Sequence, residues 1–116
     1  MRTHLLNSAM MPAEGTYTLR RITRDEFIAR LTRAYESAQL ENHVGYEQNL
    51  KLVAEWCNIR LRPDRSEVRN LTDGDELLVM KLKYRVQDTA LKADRKFQSS
   101  VSADDFEFFV AEFRRL

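Results

Sequence analysis

The stretch LLVMKLKYRV, residues 77–86, predicts the strand around which the rest of the fold is organised. Large apolar side chains recur at every second position, at Leu78, Met80, Leu82 and Tyr84. The positions between them begin apolar and turn polar, at Val79, Lys81 and Lys83. Because successive side chains of a strand point to opposite faces, one face belongs to the core and the other becomes polar towards the C-terminal end.

Two amphipathic helices precede this strand. Thr23 and Glu26 in TRDE form a capping-box pattern that predicts the start of the first helix. Its apolar stripe consists of Phe27, Ile28, Leu31, Ala34, Tyr35 and Ala38. HVGYEQNLKLV, residues 43–53, opens the second helix, which ends near Asn58. Its apolar face consists of Leu50, Val53, Ala54 and Cys57, so both helices are expected to pack on a sheet.

Further strands are predicted at residues 3–7 and 66–71, and residues 17–22 fit either a second strand or an extended lead-in to the first helix. TDGDE (72–76) is predicted to form a turn. FEFFVAEF, residues 106–113, fits either a strand or a helix by its spacing, and its aromatic content favours the strand. The fold class is therefore α/β: one domain over residues 1–116, with a mixed sheet of about five strands and helices packed on it.

Composition excludes several classes of partner. Apolar residues make up 43% of the chain and charged residues 32%, with no run long enough to span a membrane. The net charge of +1 gives no support for binding a long nucleic acid. The N-terminus lacks the core of a secretion signal, so a cytoplasmic location is expected. The single cysteine, Cys57, is interpreted as a small core residue, with a reactive thiol as the alternative.

The familiar enzyme and metal signatures are absent from the sequence, and no cofactor is predicted. The two histidines, His4 and His43, are interpreted as structural or solvated side chains. Polar residues at the ends of predicted elements remain as site candidates: Asn7, Ser8, residues 45–49, Arg65 and residues 85–88.

Gly45 lies directly before Tyr46 at the predicted N-terminus of the second helix, in a chain with only 3 glycines. A glycine there permits close approach to the free N–H groups of a helix N-terminus, which favour an anion. The alternative is that Gly45 is a helix-entry turn and Tyr46 a partly buried surface aromatic.

Four segments in this order resemble the small viral and bacterial ring-nuclease family first met in archaeal viruses. The segments are LLNSAMM, VGYEQNLKLV, RPDRSEV and DGDELLVMKLKYRVQD, and the resemblance covers about residues 5–91. It implies a homodimer that binds cyclic tetra-adenylate, the second messenger of type III CRISPR defence. Family members cleave this ring without a metal, with the 2′-hydroxyl as nucleophile, and viral members thereby switch off the host response.

The resemblance also implies roles for individual residues. Tyr46 falls at the position of the family's acid-donating histidine, and Asp88 at that of its carboxylate, with Thr89 in place of the following glycine. Arg65 and Arg85 fall where phosphate contacts are expected. The remaining polar candidates, which would bind sugar or base edges, are Asn7, Ser8, Gln48 and Asn49.

Tyrosine, with a pKa near ~10, is a weaker general acid at neutral pH than histidine. His43 is not expected to replace the missing histidine, because it lies three residues earlier along the chain. Three functions stay open: a slow ring nuclease, a module that sequesters a cyclic nucleotide without cleaving it, and a structural or regulatory dimer without a nucleotide ligand.

Overall fold

Five strands and two α-helices form the computed structural model, which describes residues 1–8, 14–68, 70–83 and 102–116. In chain order they are β1 (Thr3–Leu6), β2 (Thr16–Ile22), α1 (Arg24–Glu36), β3 (Leu40–Asn42), α2 (Glu47–Cys57), β4 (Glu76–Leu82) and β5 (Phe106–Arg114). A short 3₁₀ helix, Ala103–Asp105, precedes β5. No helix in these ranges is long and apolar enough to cross a membrane.

The strands form one mixed sheet in the order β2-β5-β4-β1-β3. β1 is parallel to both β3 and β4, while β5 is antiparallel to β2 and β4. Parallel strands require crossover connections: α1 lies within the connection from β1 to β3, and α2 within the connection from β3 to β4, which lie on either side of β1. The predicted single α/β domain with a mixed five-strand sheet is confirmed.

Both helices pack on one face of the sheet. The α1 ring of Phe27 lies 4.8 Å from that of Phe108 in β5, and both side chains are buried. The α2 ring of Trp56 meets Phe108 edge-on, with ring centroids 5.8 Å apart. The strands supply the floor of this core with Leu5, Ile22, Leu78, Met80, Phe106 and Val110. The apolar alternation at Leu78, Met80 and Leu82 therefore marks the helix-facing side of β4.

The opposite face of the sheet has a smaller core around Leu77, Ala111 and Phe113. Val68 and Leu71 pack on it from the segment predicted as a strand over residues 66–71. That strand prediction is wrong for the described residues of the segment, which follow an irregular path. The physical reason is their spacing: residues three apart point to opposite faces of a strand, yet both these side chains are buried against one sheet.

The predicted start of α1 is confirmed, because the hydroxyl of Thr23 accepts the N–H of Glu26 at 3.1 Å. The Glu26 carboxylate pairs with Arg20 and Arg30, and the two arginines, against a smaller effect of desolvation, lower the pKa of Glu26. The predicted apolar stripe runs too far. Tyr35, in the last turn of α1, is 49% exposed, and Ala38 is exposed because it lies beyond the helix end at Glu36, in the turn that leads into β3.

The strand prediction for residues 106–113 is confirmed by β5. β5 lies between β2 and β4, so its two faces contribute to both cores. The predicted turn before β4 is also confirmed: the N–H of Asp75 bonds to the carbonyl of Thr72 at 3.0 Å, and Gly74 has φ +88°. Cys57 is partly buried against the larger core, and burial raises the pKa of its thiol, as expected of a packing residue.

Candidate functional site

The predicted site residues lie at the ends of two neighbouring parallel strands. Asn7 and Ser8 follow β1, and residues 43–46 follow β3. The strands are in register through Leu5 and Asn42, and the N–H of His43 extends the pairing to the carbonyl of Leu5. In open α/β sheets, ligands bind outside the carboxyl ends of the strands. We call this edge of the sheet, with the N-terminus of α2, the carboxyl-end site.

Gly45 is in close contact with the side chain of Arg65. A Cβ on Gly45 would lie 2.0 Å from Cγ and 2.8 Å from Nε of Arg65. The φ angle of Gly45 lies outside the left-handed region, so the backbone conformation does not require a glycine. A glycine is required because the Arg65 side chain occupies the space where a Cβ would lie. The same side chain brings a guanidinium beside the first turn of α2.

Tyr46 is the residue that caps α2. Its carbonyl accepts the N–H of Asn49 at 3.1 Å, and its side chain makes no capping hydrogen bond. The ring is partly buried and packs against the larger core. The side chain of Tyr46 therefore accepts no hydrogen bond from the N–H groups of the first turn of α2.

Asn49, in the first turn of α2, is 3% exposed. Its Oδ1 has no hydrogen-bond partner, the one buried side-chain atom of this kind in the part of the chain that the structure describes. Leaving a buried acceptor unsatisfied costs about 1–3 kcal/mol. Such an atom in a native structure calls for an explanation, and a ligand with a hydrogen-bond donor is one. Gln48, beside it, is half-buried.

Hydrogen bonds hold the loop after β3 to the segment that carries Arg65. The Asn42 side chain donates to the carbonyls of Val44 and Arg62, at 3.1 and 2.7 Å, and accepts the N–H of Val44. The N–H of Asp64 donates to the carbonyl of Val44 at 3.0 Å. These bonds fix the backbone of residues 62–64 against the loop after β3, which brings the side chain of the next residue, Arg65, to Gly45.

The structure thus brings together Gly45, Tyr46, Gln48, Asn49 and Arg65, and it places Asn7 and Ser8 at the same edge of the sheet. Arg85 and Asp88 lie outside the described residues. Their predicted roles as a phosphate contact and a catalytic carboxylate stay predictions.

A family model described as STIV B116-like matches residues 3–108. The chain belongs to the STIV B116-like family. Protein B116 of Sulfolobus turreted icosahedral virus has a similar structure, with a TM-score of 0.73 over 97% of this chain and 99% of that one. At 20% sequence identity, this likeness establishes the fold alone. A search of curated proteins gives no match.

This B116-like chain also has a cluster that the sequence analysis missed, formed by His4, Glu41 and His43. His4 Nδ1 lies 3.2 Å from His43 Nε2 and 3.3 Å from Glu41 Oε2, and the latter two atoms are 3.7 Å apart. His4 is 1% exposed, and the cluster lies beside a surface cavity of about 500 Å³. These residue types at these distances are able to hold a metal ion.

The buried, hydrogen-bonded His4 fits the structural interpretation and not the solvated one, but the sequence did not show that the two rings lie together. Register explains the cluster: His4 pairs with Glu41 across β1 and β3, and His43 is two residues beyond Glu41, on the same face. The one sequence signal was Glu-x-His at strand spacing. It was uninformative without the knowledge that β1 pairs in parallel with β3.

The outer ring nitrogens of both histidines also have partners. His4 Nε2 lies 3.3 Å from Asp75 Oδ2, and His43 Nδ1 lies 3.1 Å from the carbonyl oxygen of Ser66. Asp75 is 1% exposed and accepts hydrogen bonds from Arg2 and Thr72. Burial raises the pKa of Asp75, but these hydrogen bonds and that of His4 outweigh it, so the pKa lies below its usual value. Asp75 is therefore ionised beside His4 at neutral pH.

Proposed function

We propose that the protein binds a cyclic oligonucleotide second messenger, with cyclic tetra-adenylate as the first candidate, at the carboxyl-end site. The observation that carries the proposal is the contact between Arg65 and Gly45, which sets a guanidinium beside the N-terminus of α2, where the N-cap residue Tyr46 makes no side-chain capping hydrogen bond. A helix N-terminus favours an anion, and a guanidinium forms charge-assisted hydrogen bonds to phosphate. The two together suit one phosphate of a nucleotide ring.

The unsatisfied Oδ1 of Asn49 supports a ligand that also carries hydrogen-bond donors. A fully deprotonated inorganic anion such as sulfate offers only acceptors, whereas a nucleotide offers ribose hydroxyls and, for adenine, an exocyclic amine. A small local movement on binding would let one of these donors reach Asn49. Asn7 and Ser8, exposed at the end of β1, are proposed to contact sugar or base edges.

We further propose that the ring is cleaved slowly and without a metal. The 2′-hydroxyl attacks the adjacent phosphorus and loses its proton to water, the P–O5′ bond breaks, and a 2′,3′-cyclic phosphate and a 5′-hydroxyl form. The protein aligns the attack, stabilises charge on the phosphate and donates a proton to the departing 5′-oxygen. Tyr46 is the proposed donor, with Asp88 as the supporting carboxylate and Arg85 as a second phosphate contact. In this way the protein would counter type III CRISPR signalling.

The second candidate function is sequestration of the ring without cleavage. It is favoured by Tyr46, which stands where the resembling family has a histidine and packs against the core. Losing a general acid typically slows a reaction by ~10²–10⁴ while leaving binding contacts in place. The two functions therefore share a binding site and differ in turnover.

The decisive experiment exposes purified protein to cyclic di-, tri-, tetra- and hexanucleotides in EDTA and measures binding by calorimetry and products by chromatography. We expect one ring to bind and to be cleaved slowly or not at all. Tyr46→His should leave affinity within a few-fold and raise cleavage by up to ~10²-fold, because only the proton donor changes. Tyr35→His is the control, since Tyr35 is exposed on α1.

Failure of every ring to bind would disprove the proposal. Rapid cleavage by the wild-type protein, slowed by Tyr46→His, would instead show that the tyrosine is an effective acid and would reject sequestration.

A further inference from the structure

We infer that His4, Glu41 and His43 bind one divalent transition-metal ion, with Zn²⁺ as the first candidate. The three inward atoms, His4 Nδ1, His43 Nε2 and Glu41 Oε2, form a triangle with sides of 3.2, 3.3 and 3.7 Å. Two imidazoles and one carboxylate form a common protein ligand set for zinc, with a further position left for water or a ligand.

The triangle has the size that such an ion requires. Ligands about 2.0–2.1 Å from a tetrahedral zinc ion lie about 3.3 Å from one another. Conversely, a point near the plane of the observed triangle lies about 2.0 Å from all three atoms. This distance is the normal zinc–ligand distance. The side chains would have to move by only a few tenths of an ångström to coordinate an ion.

Hydrogen bonding to the outer ring nitrogens indicates one arrangement of the ring protons. His43 Nδ1 lies 3.1 Å from the carbonyl oxygen of Ser66 and 3.3 Å from its Oγ, and because the nearer carbonyl only accepts, we assign to Nδ1 a proton that it donates there. The side-chain carboxyl of Asp75, which accepts the backbone N–H groups of Arg2 and Thr72, likewise accepts from His4 Nε2. In their neutral forms, both histidines therefore point a lone pair inward at each other and at the carboxylate oxygen of Glu41.

Three facing acceptors repel one another unless a cation lies between them. This pattern, with the far nitrogen of each histidine bonded to a carboxylate or a carbonyl, is the one that orients histidines in metal sites. The second oxygen of Glu41 is also occupied, because the Arg2 guanidinium donates to Oε1 at 2.9 Å. Oε2 is thereby left facing the two histidines.

The alternative cation is a proton, shared by the two histidines as an imidazolium pair. A proton can bridge only two of the three atoms in one short hydrogen bond, whereas a metal ion contacts all three. The nearly equal sides of the triangle favour the metal ion. The adjoining cavity leaves room for water or a small ligand in the remaining coordination position.

The test uses full-length protein without an affinity tag, treated with chelator and dialysed, and titrated with Zn²⁺ by calorimetry. We expect one ion per chain and a higher melting temperature with zinc, because an ion that binds only the folded state stabilises it. Co²⁺ added in place of Zn²⁺ should give the visible absorption of a tetrahedral site. The chain has only 2 histidines, so proton NMR of their rings reports both ligands directly.

Glu41→Gln and Glu67→Gln form a matched pair. Both glutamates line the same cavity and both changes remove one charge, but only Glu41 faces the histidines. Glu41→Gln should weaken zinc binding by more than ~10-fold and Glu67→Gln by less than ~3-fold. Asp75→Asn should weaken zinc binding by ~10–100-fold, because His4 loses the hydrogen bond that orients its ring.

Because His4 is buried and its variants risk misfolding, His43→Gln is the ligand variant of choice. It should abolish the cobalt spectrum while circular dichroism stays that of the wild type. The inference is overturned if the wild-type protein takes up no stoichiometric zinc, or if the two glutamate variants lose affinity equally. It is independent of the proposed ring binding, which is measured in EDTA.

Discussion

The side chain of Arg65 occupies the space that a Cβ on Gly45 would need, with Arg65 Cγ only 2.0 Å from that position. Twenty residues apart in sequence, the two meet at the N-terminus of α2. The glycine before Tyr46 is therefore explained by a contact and not by a turn. Any side chain at position 45 must displace the arginine.

Gly45→Ala should therefore weaken ring binding more than it weakens the fold. Displacing Arg65 removes a charge-assisted hydrogen bond worth about 1.5–3 kcal/mol. Arg65 is exposed and can swing away, so unfolding by urea should show a loss below about 1 kcal/mol, as for ordinary surface changes.

The control for this variant is Gly15→Ala. A Cβ there would lie 2.3 Å from the Phe113 ring and 2.8 Å from the carbonyl of Arg114, neither of which can swing into solvent. It should destabilise the fold by about 1–3 kcal/mol, as overpacking does. Equal losses of stability in the two variants would argue against a mobile Arg65.

Asn49→Leu should leave the free protein as stable as the wild type, or more so. The side chains have similar shapes, and the change removes a buried acceptor that has no partner. The same change should weaken ring binding at least several-fold, because the proposed ligand donor loses its acceptor. Thermal unfolding and calorimetry measure the two effects. A large loss of stability would show that Asn49 has a structural role.

Asp75→Asn should reduce stability at neutral pH by about 1–3 kcal/mol, because the ionised carboxylate accepts several hydrogen bonds at the start of β4. Its folded pKa is lowered, so its ionised form contributes stability that is complete above the unfolded value near ~3.9 and is lost as pH falls through the folded value. The difference between wild type and variant should therefore shrink in acid, as urea unfolding at several pH values would show. If the difference in unfolding free energy between wild type and variant did not depend on pH, the loss of stability would come from the shape of the side chain and not from its charge.

The elements of the fold were predictable because their patterns are local. The alternation at Leu78 and Met80 and the cap at Thr23 each depend on neighbours within a few residues. The strand prediction for residues 66–71 was wrong for the described residues of that segment. Val68 and Leu71 are buried on the second face of the sheet against Phe113, which is distant in sequence, so no local pattern indicates their packing.

The candidate site was only partly predictable, because its decisive contacts are long-range. The prediction that an anion binds near Gly45 follows from the start of a helix, which is a local feature of the sequence. The contact with Arg65 depends on how residues 59–66 return to β3, and sequence periodicity says nothing about that path. The cluster of His4 and His43 depends on the parallel pairing of two strands separated by a strand and a helix.

The protein should form a homodimer in solution. A chain of 116 residues offers one carboxyl-end site, and a two-fold axis would present Arg65 and Tyr46 twice to a symmetric ring. Light scattering at micromolar concentration, with and without cyclic tetra-adenylate, measures the mass directly. A monomer under both conditions would contradict the prediction.

Arg65→Ala should weaken ring binding by about 1.5–3 kcal/mol, the range for hydrogen bonds to charged groups. Arg60→Ala is the matched control, since Arg60 is also an exposed arginine in the segment that follows α2, and it should cost much less.

The Arg65 contribution should also fall as salt rises, because an exposed ion pair with phosphate is screened. Arg65→Lys retains the charge but loses the planar fork, so it should recover part of the affinity. Calorimetry at two salt concentrations separates these terms. Equal and negligible losses for Arg65→Ala and Arg60→Ala would move the phosphate site away from the N-terminus of α2.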